Sequence, residues 1–211
     1  GGVYLIKTDL NGIEEWAQTY AGGGACVQET TDGGYIILGD IEVGTNYEIQ
    51  LIKTDLNGVE EWNQIHGGSG MQQAAHIQQT LDGGYIVLGD TDNPNSILLF
   101  KTNSNGIEEW NKQFGFSINP GTSAGAGSCQ QITDGGYIVV GTKQYAFQDN
   151  DCYLIKTDGQ GTSNFNIALT STGTDAYQFS TYWYASVPVD VNAILEFDEY
   201  LMKNSEFKKV L

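Results

Sequence analysis

The sequence predicts an all-β chain folded as a β-propeller of about four four-stranded blades, on three observations. The phrase Lys-Thr-Asp-x-Asn-Gly-x-x-x-Trp occurs at 7–16 and 53–62, with Asn103 in place of Asp at 101–110, and in worn form at 156–165. A second phrase, Asp-Gly-Gly-Tyr followed by an apolar run, alternates with it at 32–35, 82–85 and 134–137. The intact copies of both recur at intervals of roughly 46–52 residues, a period that belongs to propeller blades or to helical solenoids. The helical option fails on content. Each unit holds three or four short β-branched or aromatic runs divided by Gly, Asn and Asp, and none shows a 3.6-residue apolar period.

In chain order, residues 3–9 read as a strand. Residues 9–12 form a turn in which Asp9 bonds its own backbone and Gly12 supplies positive φ. Residues 13–20 return as the hairpin partner, so 1–20 is a half-unit with two strands. A four-residue turn places Lys7 opposite Glu14, Lys53 opposite Glu60, Lys101 opposite Glu108 and Lys156 opposite Ser163. Unit 22–66 has strands at 25–30, 35–39, 47–54 and 59–66. Unit 70–115 has them at 73–80, 85–89, 96–102 and 107–114. Unit 122–169 has them at 127–133, 137–142, 152–157 and 162–169. Runs such as Tyr35-Ile36-Ile37-Leu38 and Ile97-Leu98-Leu99-Phe100 are apolar at every position, which calls for cover on both sheet faces. The repeat stops after Leu169. Residues 176–189 read as strands that would complete the half-unit and close four blades into a ring, the alternative being an arc of a larger propeller. Residues 190–211 read as a helical tail with an apolar stripe.

Composition narrows function. The 211 residues carry 9 Lys+Arg, all of them Lys, against 26 Asp+Glu, a net charge of −17. Such a field repels phosphate backbones and anionic lipid, so nucleic acid is not an expected partner. No apolar run reaches the roughly 18 residues of a membrane span. Three cysteines cannot close into a full disulfide set and no Cys-x-x-Cys is present, so cysteine says little about compartment. The chain opens Gly-Gly, and is expected to be a mature or excised piece of something longer.

The two phrases resemble the β-propeller repeats of bacterial and archaeal secreted and surface proteins, over about residues 3–165. The Gly-x-x-x-Trp end of each unit (Gly12/Trp16, Gly58/Trp62, Gly106/Trp110, and Gly161/Phe165) also resembles the tryptophan-docking motif of quinoprotein propellers. That resemblance implies that Trp16, Trp62 and Trp110 pack between neighbouring blades. Phe165 departs from it. Fold resemblance assigns no activity.

No catalytic set stands out. The pairs Glu14-Glu15, Glu60-Glu61 and Glu108-Glu109 recur in every intact unit, and neighbours on a strand point to opposite faces, so they do not converge as a glycosidase pair. A sialidase-type carboxylate clamp needs arginine, and the chain has none. Cys26, His76 and Cys129 fall at similar points of three successive inner strands, candidates for a soft-metal site on the axis beside the plainer reading of packed side chains. Asp90, Asp92 and Asn95, with Asp149 and Asp151, cluster oxygen ligands that suit calcium; no cofactor is required. His66 occupies the slot of Tyr20 and Phe114 and is read as filling an aromatic position. The expected function is a non-enzymatic extracellular or cell-surface module that binds protein or carbohydrate and is open to self-assembly. The alternatives are a polysaccharide hydrolase or lyase with a site in a central funnel, and a structural subunit completed by a neighbouring chain.

Overall fold

The computed structural model describes the backbone of residues 2–68, 70–92, 95–115, 123–144, 150–172 and 176–180, with side chains at 123–124, 143–144, 150–151 and 164–180 left outside the description. Among these residues the chain is all β and antiparallel, in four small sheets. The first holds β1 (Gly2–Thr8) and β2 (Glu14–Ala21). The second holds β3 (Gly23–Glu29), β4 (Tyr35–Val43), β5 (Asn46–Thr54) and β6 (Glu60–His66). The third holds β7 (Gln72–Gln79), β8 (Tyr85–Asp92), β9 (Asn95–Thr102) and β10 (Glu108–Phe114). The fourth holds β11 (Ser123–Gln131), β12 (Tyr137–Gln144), β13 (Asn150–Thr157), β14 (Ser163–Thr172) and β15 (Ala176–Ser180). Strands pair in chain order within each sheet. Among the described residues no helix is long and apolar enough to cross a membrane.

Local chemistry explains the repeated turns. The Asp9 carboxylate accepts the N–H groups of Asn11 (2.8 Å) and Ile13 (2.9 Å). Asp55, Asn103 and Asp158 close their turns in the same way. In the Asp-Gly-Gly-Tyr turns the two glycines do different jobs. Gly33 has φ of 84°, where an L side chain is strained. A Cβ on Gly34 would stand 2.0 Å from the Thr54 carbonyl oxygen, so only glycine lets the turn lie against β5.

The lysine–glutamate pairs differ from the expectation by one residue. Lys7 pairs in register with Trp16 and Thr8 with Glu14, leaving Glu15 as the extra residue of a bulge. Lys7 therefore meets Glu15 at 2.9 Å, Lys53 meets Glu61 at 3.0 Å and Lys101 meets Glu109 at 3.0 Å. In the fourth sheet Thr157, not Lys156, lies opposite Ser163.

The sheets stack face to face in chain order. Ile37 and Ile52 of the second sheet pack with Val3 of the first. Their strand neighbours Ile36, Leu38 and Leu51 point the other way, onto Ile77, Tyr85, Val87 and Phe100 of the third. Ile86, Leu88, Ile97 and Leu99 then meet Tyr137, Val139 and Ile155 of the fourth. Burial of the central strands of the second and third sheets on both faces accounts for their unbroken apolar runs. The first strands lie side by side, β7 touching both β3 and β11.

The segment expected to complete the first sheet does something else where it is described. β15 pairs with β14 and widens the fourth sheet, while among the described residues the first sheet has two strands. A ladder edge on β14 next in sequence is a nearer partner than one at the far end of the stack. Residues 181–189 and the helical tail expected at 190–211 lie outside the described residues.

Candidate functional site

Two arrangements join one sheet to the next. At the outer edge, each tryptophan packs on the following sheet. Trp16 meets the ring of Tyr35 edge-on with centroids 5.7 Å apart, Trp62 meets Tyr85 at 6.0 Å, and Trp110 meets Tyr137 at 5.7 Å. The next turn closes over the indole. A Cβ on Gly58 would stand 2.8 Å from Trp16, and one on Gly106 or Gly161 2.6 Å from Trp62 or Trp110. Each glycine thus serves the tryptophan of the preceding unit. Phe165 pairs in register with Lys156, as Trp62 does with Lys53, and its side chain lies outside the description. His66 stacks on Phe100 at 4.8 Å, and burial lowers its pKa, so it does fill an aromatic slot.

At the inner edge, glutamine amides cross-link the first strands. Gln28 Oε1 accepts the Gln79 N–H (2.7 Å) and Gln79 Oε1 accepts the Thr31 N–H (2.9 Å). Gln78 and Gln131 repeat this one sheet on. A bulge after Ala74 and another after Ala126 each turn a backbone N–H away from its own ladder. Those N–H groups donate to carboxylates of the preceding sheet, Ala74 to Asp40 (2.6 Å) and Ala126 to Asp90 (2.5 Å). Burial pushes both acids upward, Asp90 to about 6.

The candidate axis residues are only partly brought together. His76 Nδ1 lies 3.6 Å from Cys129 Sγ, and burial pushes that thiol up to about 12, with Cys26 adding to the shift. Cys26 instead packs in the cluster between the second and third sheets, while Cys129 belongs to the next cluster. Cys129 stands five residues before Asp134, where Cys26 and His76 stand six before their aspartates, and one residue on a strand reverses the face. Among the described residues no group of three or more His, Cys, Asp or Glu is placed to hold a metal ion.

A groove of about 850 Å³ opens between the second and third sheets, where β4 and β8 end and β3 and β7 begin. Asp40, Glu42, Asp90 and Asp92 line it, with Gln73 and the half-exposed ring of Tyr47. Among the described residues no cationic side chain lines it. Three of the proposed calcium ligands, Asp90, Asp92 and Asn95, reach this groove. Asp92 accepts the Met71 N–H at 2.7 Å, so it also anchors the entry to β7. Asp151 lies on the fourth sheet opposite Lys143, away from the groove, and Asp149 lies outside the described residues. Sequence reasoning passed over Asp40, Glu42 and Tyr47. The available signal was that Asp40, like Asp90, follows the Gly at the end of an apolar run.

No family model matches the chain, and no curated protein matches it. Among solved structures, a protein of unknown function from Bacteroides caccae is similar, with a TM-score of 0.44 and 12% identity. The match covers 81% of this chain and 66% of that one, so this chain spans just under two thirds of its length.

Proposed function

We propose that the chain is an arc of β-propeller blades acting as a non-enzymatic, extracellular or cell-surface binding module, with its ligand in the groove between the second and third sheets. The propeller reading is supported by sheets stacked in chain order, first strands side by side and a tryptophan seam at the outer edge. The binding reading is carried by the groove. Four carboxylates and several amides provide hydrogen-bond acceptors, and Tyr47 provides an exposed aromatic face. That combination suits a hydroxyl-rich glycan, whose hydroxyls donate to charged acceptors and whose C–H faces lie on an aromatic ring. A polar protein segment is the second ligand class. The test is a glycan-array screen of the whole chain with and without calcium, since Asp90, Asp92 and Asn95 gather oxygen ligands at the same place. Binding that falls at least about tenfold in Tyr47→Ala and Asp40→Asn supports the reading. Undiminished binding in both variants contradicts it.

One observation favours a hydrolase as a second reading. Burial pushes Asp90 to about 6, a value suited to a general acid, in a groove that also holds Asp40 as a second carboxyl group. Release of reducing ends from a polysaccharide panel, abolished in Asp90→Asn, would move the assignment from binding to catalysis.

A further inference from the structure

Asp40, Glu42 and Tyr47 form one strip on the second sheet. Ile36 and Leu38 of β4, with Ile49 and Leu51 of β5, pack toward the third sheet. Asp40, Glu42 and Tyr47 continue that face by alternation along the two strands. Asp40 reaches across to the Ala74 N–H at 2.6 Å. Glu42 lies directly opposite Tyr47 in the ladder, which sets their Cβ atoms about 4.5–5.5 Å apart. Asp40 follows about 7 Å along β4 on the same side. All three line the groove. The fold does not call for an aromatic ring at this place. The corresponding register positions of the third and fourth sheets hold Asn95, opposite Asp92, and Asn150, opposite Gln144. Tyr47 adds little to the core, being 50% exposed, and Glu42 beside it is exposed as well.

We propose that this strip recognises an organic ammonium group, and that the ligand of the groove is a glycan with free amino groups on its sugars, a proposal that rests on the glycan reading given above. An exposed ring beside a carboxylate suits an ammonium better than a hydroxyl. The ring face attracts a cation through its quadrupole. The carboxylate accepts an ammonium N–H in a charge-assisted bond, roughly twice as strong as a neutral one. A sugar ring stacked on Tyr47 brings an amino substituent at its edge within reach of Glu42, and Asp40 stands further along the same strand for a second. Among the described residues no lysine lines the groove to neutralise these acids. The net charge of −17 draws a cationic chain in and repels one that carries carboxylates or sulfates. Acetylation of the amine keeps the hydroxyls and the apolar sugar face and removes the charge, so it separates the two contributions.

Titration calorimetry of the full chain tests this with three β-1,4-linked hexamers, of glucosamine, of N-acetylglucosamine and of glucose, at a pH at which the sugar amines are protonated. The expected result is that the glucosamine hexamer binds at least about tenfold more tightly than the other two, with a preference that shrinks as salt is raised. Glu42→Gln, an exposed position, removes the preference. Glu60→Gln deletes the same charge on the outer strand β6 and leaves the preference in place. Tyr47→Ala weakens all three hexamers. Equal binding of the three, a preference that survives Glu42→Gln, or one that is lost equally in Glu60→Gln overturns the proposal and leaves the glycan reading standing. Binding of none of the hexamers, or of a lysine-rich peptide alone, overturns both.

Discussion

Lys53 and Lys7 hold the same place in the repeat and live in different surroundings. The Lys53 side chain is 5% exposed, and its ammonium reaches Asp32 (3.0 Å), Glu61 (3.0 Å) and the Thr54 carbonyl (2.8 Å). Three acceptors match its three N–H donors. Lys7 is 41% exposed and meets Glu15 at 2.9 Å; among the described residues no Asp-Gly-Gly hairpin of the first sheet supplies an aspartate. Lys101 resembles Lys53, at 3%, and Lys156 resembles Lys7, at 46%. The residue is the same in all four. What differs is whether a neighbouring sheet covers it, and whether its own sheet is complete. The contrast predicts that the contacts between sheets contribute a large share of the stability, beside what each sheet contributes by itself.

Substitutions at matched inner and end positions test that contrast. The largest expected difference is between Trp62→Ala and Tyr4→Ala. Removing an indole held between two sheets costs about 3 kcal/mol, while an exposed tyrosine at the end of the stack costs within about 0.5 kcal/mol, both read from urea titration. Next come Gly106→Ala and Gly12→Ala. Both force an L residue into positive φ at about 1 kcal/mol, and only the first must also displace an indole, adding about 1–2 kcal/mol. Equal losses at the two sites would mean that the turn, not the seam, sets the cost.

Lys101→Met compared with Lys7→Met gives a smaller difference. Asp82 and Glu109 are about half exposed, so water takes over part of the lost pairing and the cost is about 1–2 kcal/mol, against under about 0.5 kcal/mol at Lys7. The smallest effect is in pH. The Thr30 hydroxyl, then Lys53, hold Asp32 at about 2. At Asp82 burial pushes upward, but Thr80, Lys101 and the Gly84 N–H prevail, again to about 2. These two carboxylates stabilise the fold above their ordinary value of 3.8, and the contribution fades as pH falls toward 2. Asp90 runs the other way. Raised to about 6, it contributes most below 3.8 and loses that contribution as pH rises through 6. Melting temperature is therefore expected to peak near pH 4 and to fall between about pH 4 and 6, and Asp90→Asn removes that fall.

Much of the seam was legible in the sequence because it rests on residues with few substitutes. Gly33 and Gly34, the Asp9-type turns and Trp16, Trp62 and Trp110 repeat in fixed spacing, and each is dictated by local backbone or by one bulky ring. The bulge at Glu15 was not legible, since an extra residue in a strand leaves the repeat length unchanged and alters only which neighbour faces Lys7. The one-residue offset of Cys129 was present in the spacing, and its consequence appears once alternation along β11 is applied. The groove was hidden for another reason. Its wall combines the ends of β4 and β8 with the starts of β5 and β7, and its acids are brought together only by the stacking of two sheets. Asp40 and Asp90 accept there the N–H groups of Ala74 and Ala126, which stand beside bulges in the next sheet.

Native-state hydrogen exchange, resolved by residue, measures the central contrast directly. The predicted order places the ladder amides of β8 and β9, covered on both faces, as the slowest, and those of β1 and β2, covered on one face, faster by at least about a hundredfold, or roughly 2.7 kcal/mol. Equal protection of β1 and β9 would contradict the account, because the sheets would then hold themselves together without their neighbours.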